Sequence, residues 1–164
     1  MEWLWSPWRY SYVARGSTQG CIFCEKSRED RDRENLILYR GALNFVILNA
    51  FPYTSGHLMI APYEHVGWVT DARTETLEEM IRLARTAERA LREVYQAPGL
   101  NIGMNLGACA GAGVADHIHL HVLPRWPGDT NFMTTIGETR VLPEDLTTTW
   151  EKLRPRFQPE TSSR

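Results

Sequence analysis

A chain of 164 residues, 43% hydrophobic and 23% charged, is long enough to bury one substantial core and has the composition of a soluble globular domain. Its formal charge of −2 excludes a generic nucleic-acid or anionic-membrane surface, since both need a basic excess. No apolar run approaches the roughly 18 residues of a membrane span, and MEWLWSPWRY at the start lacks the apolar stretch of a signal peptide, so a cytoplasmic protein is expected.

Residues 1–20 form an arm carrying Trp3, Trp5, Trp8, Tyr10 and Tyr12, too aromatic to dangle in water and expected to dock on the domain or on a second subunit. Cys21 and Cys24 make a CxxC, while Cys109 stands alone. An odd number of cysteines in such a compartment points away from a disulfide framework and toward a metal half-site or a redox motif. Glu25–Asn35, EKSREDRDREN, reads as a solvated loop. Leu36–Arg40 and Leu43–Leu48 flank Gly41-Ala42 as a hairpin, and His57–Ala61 is a further strand after Ser55-Gly56.

A long helix is predicted over Glu75–Tyr95. Leu77, Met80, Ile81, Ala84, Ala87, Leu91 and Val94 recur at three- and four-residue steps, with acids at its start and arginines near its end. Leu100–Leu106 follows Pro98-Gly99 as a strand. Next come the glycine-rich GACAGAG of Gly107–Gly113 and a strand over His117–Leu123 that stops at Pro124. A shorter helix follows Pro143, and residues 158–164 form a frayed tail. Hairpin-ordered strands with a helix laid over one face describe an α+β fold with an antiparallel sheet, a single domain over residues 21–157.

The segment ADHIHLHVLPRW holds three of the five histidines at alternate positions. On a strand His117, His119 and His121 share one face, and Ile118, Leu120 and Val122 share the other. The aliphatic face has the long helix as a partner, which leaves the imidazoles where a ligand can reach them. Three readings stand open on the residues alone: local hydrogen bonding on a wet face, joint ligation of a catalytic zinc with one open position, and an imidazole nucleophile that forms a covalent intermediate.

The run His117-Ile-His119-Leu-His121-Val-Leu resembles the motif of the histidine triad nucleotide hydrolases and transferases. Companion segments follow in that family's order: Asn49 with Pro52 and Gly56-His57, then Asn105-Leu-Gly107, then Pro124-Arg125. WSPWRY and PRWPGDTNF resemble the bacterial branch that includes diadenosine tetraphosphate phosphorylases. The resemblance implies a five-stranded antiparallel sheet with one long and one shorter helix, usually paired as a homodimer. It implies cleavage of a diadenosine polyphosphate, with His119 attacking the α-phosphorus and water or orthophosphate completing the transfer. His121 and His117 complete the catalytic strand. Asn49 falls at the ribose hydroxyls and Asn105 at the phosphate, Gly107, Gly111 and Gly113 bring backbone N–H groups to the phosphate oxygens, and Trp126 could stack on a purine. It also implies a structural zinc ion, Zn2+, held by Cys21, Cys24, His65 and His117.

The chain departs from the pattern in one place. Gly111-Ala112-Gly113 lacks the Gln and hydroxyl that many family hydrolases carry there, so no side chain is assigned to the leaving group. His121, where the uridylyltransferases carry Gln, argues against hexose-1-phosphate chemistry. A nucleoside phosphoramidate hydrolase, a catalytic zinc hydrolase and a non-catalytic nucleotide-binding protein stand as alternatives.

Overall fold

The computed structural model describes residues 20–129 and 143–157. The aromatic arm and the tail beyond 157 lie outside the described residues, Gly20 apart.

Five strands form one antiparallel sheet in the order β1-β2-β3-β5-β4: β1 Ile37–Arg40, β2 Asn44–Leu48, β3 Leu58–Pro62, β4 Gly99–Gly103 and β5 Leu120–Arg125. The hairpin stands as read from the sequence, closed where the Gly41 N–H donates to the Asn44 carbonyl at 2.8 Å. β2 and β3 are buried along their whole length, because the sheet is covered on both faces. β5 starts later than expected and runs through Pro124. Its ladder with β3 ends at Leu58↔Val122, so the missing N–H of Pro124 lies beyond that neighbour.

One face carries Leu38, Val46, Leu48, Leu58, Ile60, Ile118, Leu120 and Val122 against the long helix α3, Thr74–Tyr95. α3 buries Thr76, Met80, Leu83, Ala84, Ala87, Ala90 and Leu91 at three- and four-residue steps. Ile81, counted with the stripe, is 57% exposed, because it follows Met80 by one residue and so sits about 100° round the helix. The helix stops at Gln96, which takes the left-handed conformation (φ 50°), two residues before Pro98. The shorter helix α4, Leu146–Leu153, starts three residues past Pro143 and is capped by Asp145, whose carboxylate accepts the Thr148 N–H at 2.9 Å.

The opposite face carries Phe23, Ile37, Phe45, Ile47, Met59 and Ala61. Phe23 covers it from α1, Ile22–Arg28, which is followed by α2, Asp32–Asn35. The stretch read as a solvated loop, Glu25–Asn35, is mostly exposed, but it is largely helical. Arg40 on β1 reaches back to the Asp32 carboxylate and to the Ser27 and Glu29 carbonyls, so β1 anchors this surface segment. No helix among the described residues is long and apolar enough to cross a membrane.

Glu79 of α3 ties the helix to the hairpin. Its carboxylate accepts the Ala42 N–H at 2.9 Å, the Leu43 N–H at 2.8 Å and the Asn44 side-chain amide at 2.8 Å. Burial pushes its pKa up, but these donors outweigh that and hold it below the ordinary carboxylate range. Glu79→Ala is therefore expected to lower the free energy of urea unfolding by about 2 kcal/mol. A loss under roughly 0.5 kcal/mol, within the range of ordinary surface substitutions, would mean this clamp contributes nothing to stability.

Candidate active site

The triad enters its strand from a turn, held where the Ile118 N–H donates to the Val66 carbonyl at 2.8 Å. With Ile118, Leu120 and Val122 sealed beneath α3, the three imidazoles must face the α1 side, as the alternation required. They then go separate ways. His117 is fully buried, and its Nε2–H donates to the Pro62 carbonyl at 2.9 Å, at the end of β3. His119 is 5% exposed, and its Nδ1–H donates to the His117 carbonyl at 2.9 Å. A ring with one proton spent on that carbonyl keeps a bare lone pair on Nε2.

His121 takes its state from a residue that the sequence offered only within the Gly56-His57 segment. His57 is 1% exposed, and its Nδ1 accepts the Tyr53 N–H at 3.1 Å. Its proton therefore sits on Nε2 and donates to His121 Nδ1 at 2.9 Å. His121 then carries its own proton on Nε2, as a donor. Burial holds all three triad pKa values below the ordinary histidine value: His117 at about 4, His121 at about 4 with His119 adding to the effect, and His119 also lowered.

His119 and His121 line a cavity of about 610 Å3. Its floor crosses the sheet, because Met59 pairs with His121 and Ile47 pairs with Met59. Asn49, Asn105, Gly111 and Gly113 also line it. Part of Asn49 is already engaged, its Oδ1 accepting the Phe51 N–H at 2.9 Å. Gly107 and Trp126 are not among the lining residues. Gly107, at φ 81°, opens the short 3-10 turn Ala108–Ala110 and accepts the Ala110 N–H, so it shapes the loop rather than facing the cavity. Trp126 meets Tyr95 edge-on, with ring centroids 6.4 Å apart, and Tyr95 packs against the α3-side core.

His117 faces a second cluster. Its Nδ1 lies 3.3 Å from Cys21 Sγ, 3.6 Å from Cys24 Sγ and 3.2 Å from His65 Nδ1, and Cys24 Sγ lies 3.4 Å from His65 Nδ1. All four ligand atoms fall within 4.8 Å of one another. A tetrahedral ion with ligands at about 2.0–2.3 Å has edges of roughly 3.3–3.8 Å, close to the four separations just given. The bond to Pro62 leaves His117 Nδ1 unprotonated, as ligation requires. Burial, with Cys21 adding to it, raises the Cys24 thiol, so paired thiolates here call for a cation. These four side chains could hold a metal ion. Among the described residues, this is the one such group, and the three triad histidines do not form another.

A family model described as HIT domain matches residues 30–128. Over 154 residues the chain is 36% identical to the AP-4-A phosphorylase of Mycobacterium tuberculosis, covering 89% of this chain and 79% of the relative. Among solved structures it resembles a Zn-bound histidine triad family protein from Mycobacterium smegmatis, with TM-score 0.68 and 31% identity over 85% of this chain and 94% of that one. A hypothetical histidine triad nucleotide-binding protein from Sulfolobus tokodaii gives TM-score 0.66 and 25% identity, over 83% and 91% of the two chains. Fold and sequence likeness agree: this chain belongs to the HIT domain family, the histidine triad proteins.

Proposed function

We propose that this chain is a nucleotidyl transferase or hydrolase that cleaves diadenosine polyphosphates through a covalent nucleotidyl–His119 intermediate. The observation that carries the reading is the 2.9 Å bond from His119 Nδ1–H to the His117 carbonyl, which leaves Nε2 unprotonated on a ring lining the cavity. Nε2 attacks the α-phosphorus, a P–N bond forms and the anhydride P–O bond breaks, releasing the polyphosphate half of the substrate. Water or orthophosphate then attacks the same phosphorus and the P–N bond breaks, giving AMP or ADP. His121 Nε2–H is a donor for the phosphoryl oxygens as charge develops on them, and His57 positions it. Asn105 and the backbone of Gly111 and Gly113 add polar contacts to the cavity wall. The AP-4-A phosphorylase likeness supports orthophosphate as the acceptor.

The base lies over Met59 and Ile47 beside Phe23, whose ring centroid is 5.0 Å from that of His119. His119→Ala is expected to lower kcat roughly a thousandfold or more, because it removes the nucleophile itself. Steady-state assays with diadenosine tetraphosphate, run with and without orthophosphate, check this. Near wild-type turnover in the variant would refute the covalent route. The same assays give a pH profile. His119 must be neutral to attack, and burial keeps it neutral below the ordinary value of about 6.5, so the acid limb belongs below that pH. A limb centred above it would contradict the buried setting of His119.

Zinc is the metal that this reading gives to Cys21, Cys24, His65 and His117, and the Zn-bound relative supports it. A closed Cys₂His₂ set makes the ion structural, a cross-link between α1 and the triad strand. Free thiols of this kind suit a reducing compartment such as the cytoplasm. Metal analysis of pure protein is expected to find one zinc per chain, and Cys24→Ser to lower both zinc content and Tm. Unchanged zinc content in that variant would rule the site out.

A homodimer through β4 completes the reading. Among the described residues β4 hydrogen-bonds only to β5, and its Asn101, Ile102 and Gly103 are exposed, so this edge is available to a second copy. Sedimentation equilibrium is expected to give twice the chain mass at micromolar concentration. A monomer at that concentration would remove this element.

A further inference from the structure

Among the described residues that line the cavity, Lys26 is the one with a charged side chain. It shares a face of α1 with Ile22, four residues earlier, and lies one turn beyond Phe23, which packs on His119. Its ammonium donates to the Asn35 carbonyl at a long 3.3 Å, so most of its donor capacity is left over. That carbonyl fixes where the group sits. Asn35 lies two residues before Ile37 of β1, and the sheet register runs Ile37↔Ile47, Ile47↔Met59, Met59↔His121. β1 is therefore three strand spacings from the triad strand, about 14 Å across the sheet. A phosphorus held at His119 and a base laid over Met59 and Ile47 direct the outer edge of that base toward the far wall of the cavity, where Lys26 stands.

We propose that Lys26 reads the edge of the bound base and favours one presenting two adjacent acceptors, a 6-oxopurine such as guanine, over adenine. An ammonium is a donor without acceptor capacity. Guanine offers O6 and N7 side by side, whereas adenine offers N7 beside an amino group that is itself a donor. Phosphate binding is the other task open to a cation here, but it belongs to the opposite end of the floor, where His119, His121 and the Gly111–Gly113 loop stand. The inference rests on the nucleotidyl-transfer reading above, and it makes the cavity a site for guanosine as well as adenosine halves of dinucleoside polyphosphates.

The mixed substrate adenosine–tetraphosphate–guanosine tests it by internal competition. With adenosine in the cavity the products are ADP and GTP when orthophosphate is the acceptor, or AMP and GTP with water. With guanosine in the cavity they are GDP and ATP, or GMP and ATP. Lys26→Met keeps the length and apolar stem and removes the charge. It is expected to shift the product ratio about tenfold toward adenosine occupancy. A ratio that stays put, or moves toward guanosine, overturns the proposal. Because the ratio does not depend on how much enzyme is folded, a destabilised variant still reports. If neither protein cleaves the substrate, the nucleotidyl-transfer reading fails and Lys26 is tested on its own. Calorimetry with GMP and AMP on His119→Ala, with and without Lys26→Met, then gives the same selectivity. Equal loss for both nucleotides would overturn the base-reading role.

Discussion

The bond from His119 Nδ1–H to the carbonyl of His117 holds the site together, because one residue serves both ends of it. His117 gives its carbonyl to the imidazole that lines the cavity, its Nε2–H to Pro62 and its Nδ1 to the cysteine cluster. A shift of His117 would disturb the tautomer of His119 and the fit of the metal ligands together. The metal-type cluster and the catalytic strand are thus one mechanical unit, joined through a fully buried ring.

That unit exists because the sheet is covered twice. α3 takes the aliphatic side of the triad strand, and α1 with Phe23 takes much of the other. Where α1 ends, the second face opens into the cavity. Burial on this face has a chemical consequence as well as a structural one. A desolvated imidazole resists protonation, so the groups facing the cavity stay neutral, one as a lone pair and one as an N–H donor.

Much of this was legible from local pattern. Alternation set the triad against Ile118, Leu120 and Val122, and the apolar stripe gave α3 to within one residue at its start. Two readings needed a tertiary partner to complete them. Glu25–Asn35 was read as a solvated loop; it is mostly exposed, but it is largely helical, and Arg40 of β1 anchors it. Trp126 was weighed as a base platform or as packing; it meets Tyr95 of α3 edge-on and is not among the residues lining the cavity. His57 was named only within the Gly56-His57 segment, with no role. Nothing near Gly56 signals that the β3–β5 register, Met59↔His121, carries its ring to the third triad histidine.

By itself the sequence determined the periodic elements, the faces they present and the motif that names the family, since each depends only on spacing along one segment. Tertiary structure decided which nitrogen of each histidine carries the proton, which of the predicted residues line the cavity, and where Lys26 and His57 stand. Those outcomes depend on hydrogen bonds and strand register between segments up to 96 residues apart, as from Cys21 to His117, which no local pattern encodes.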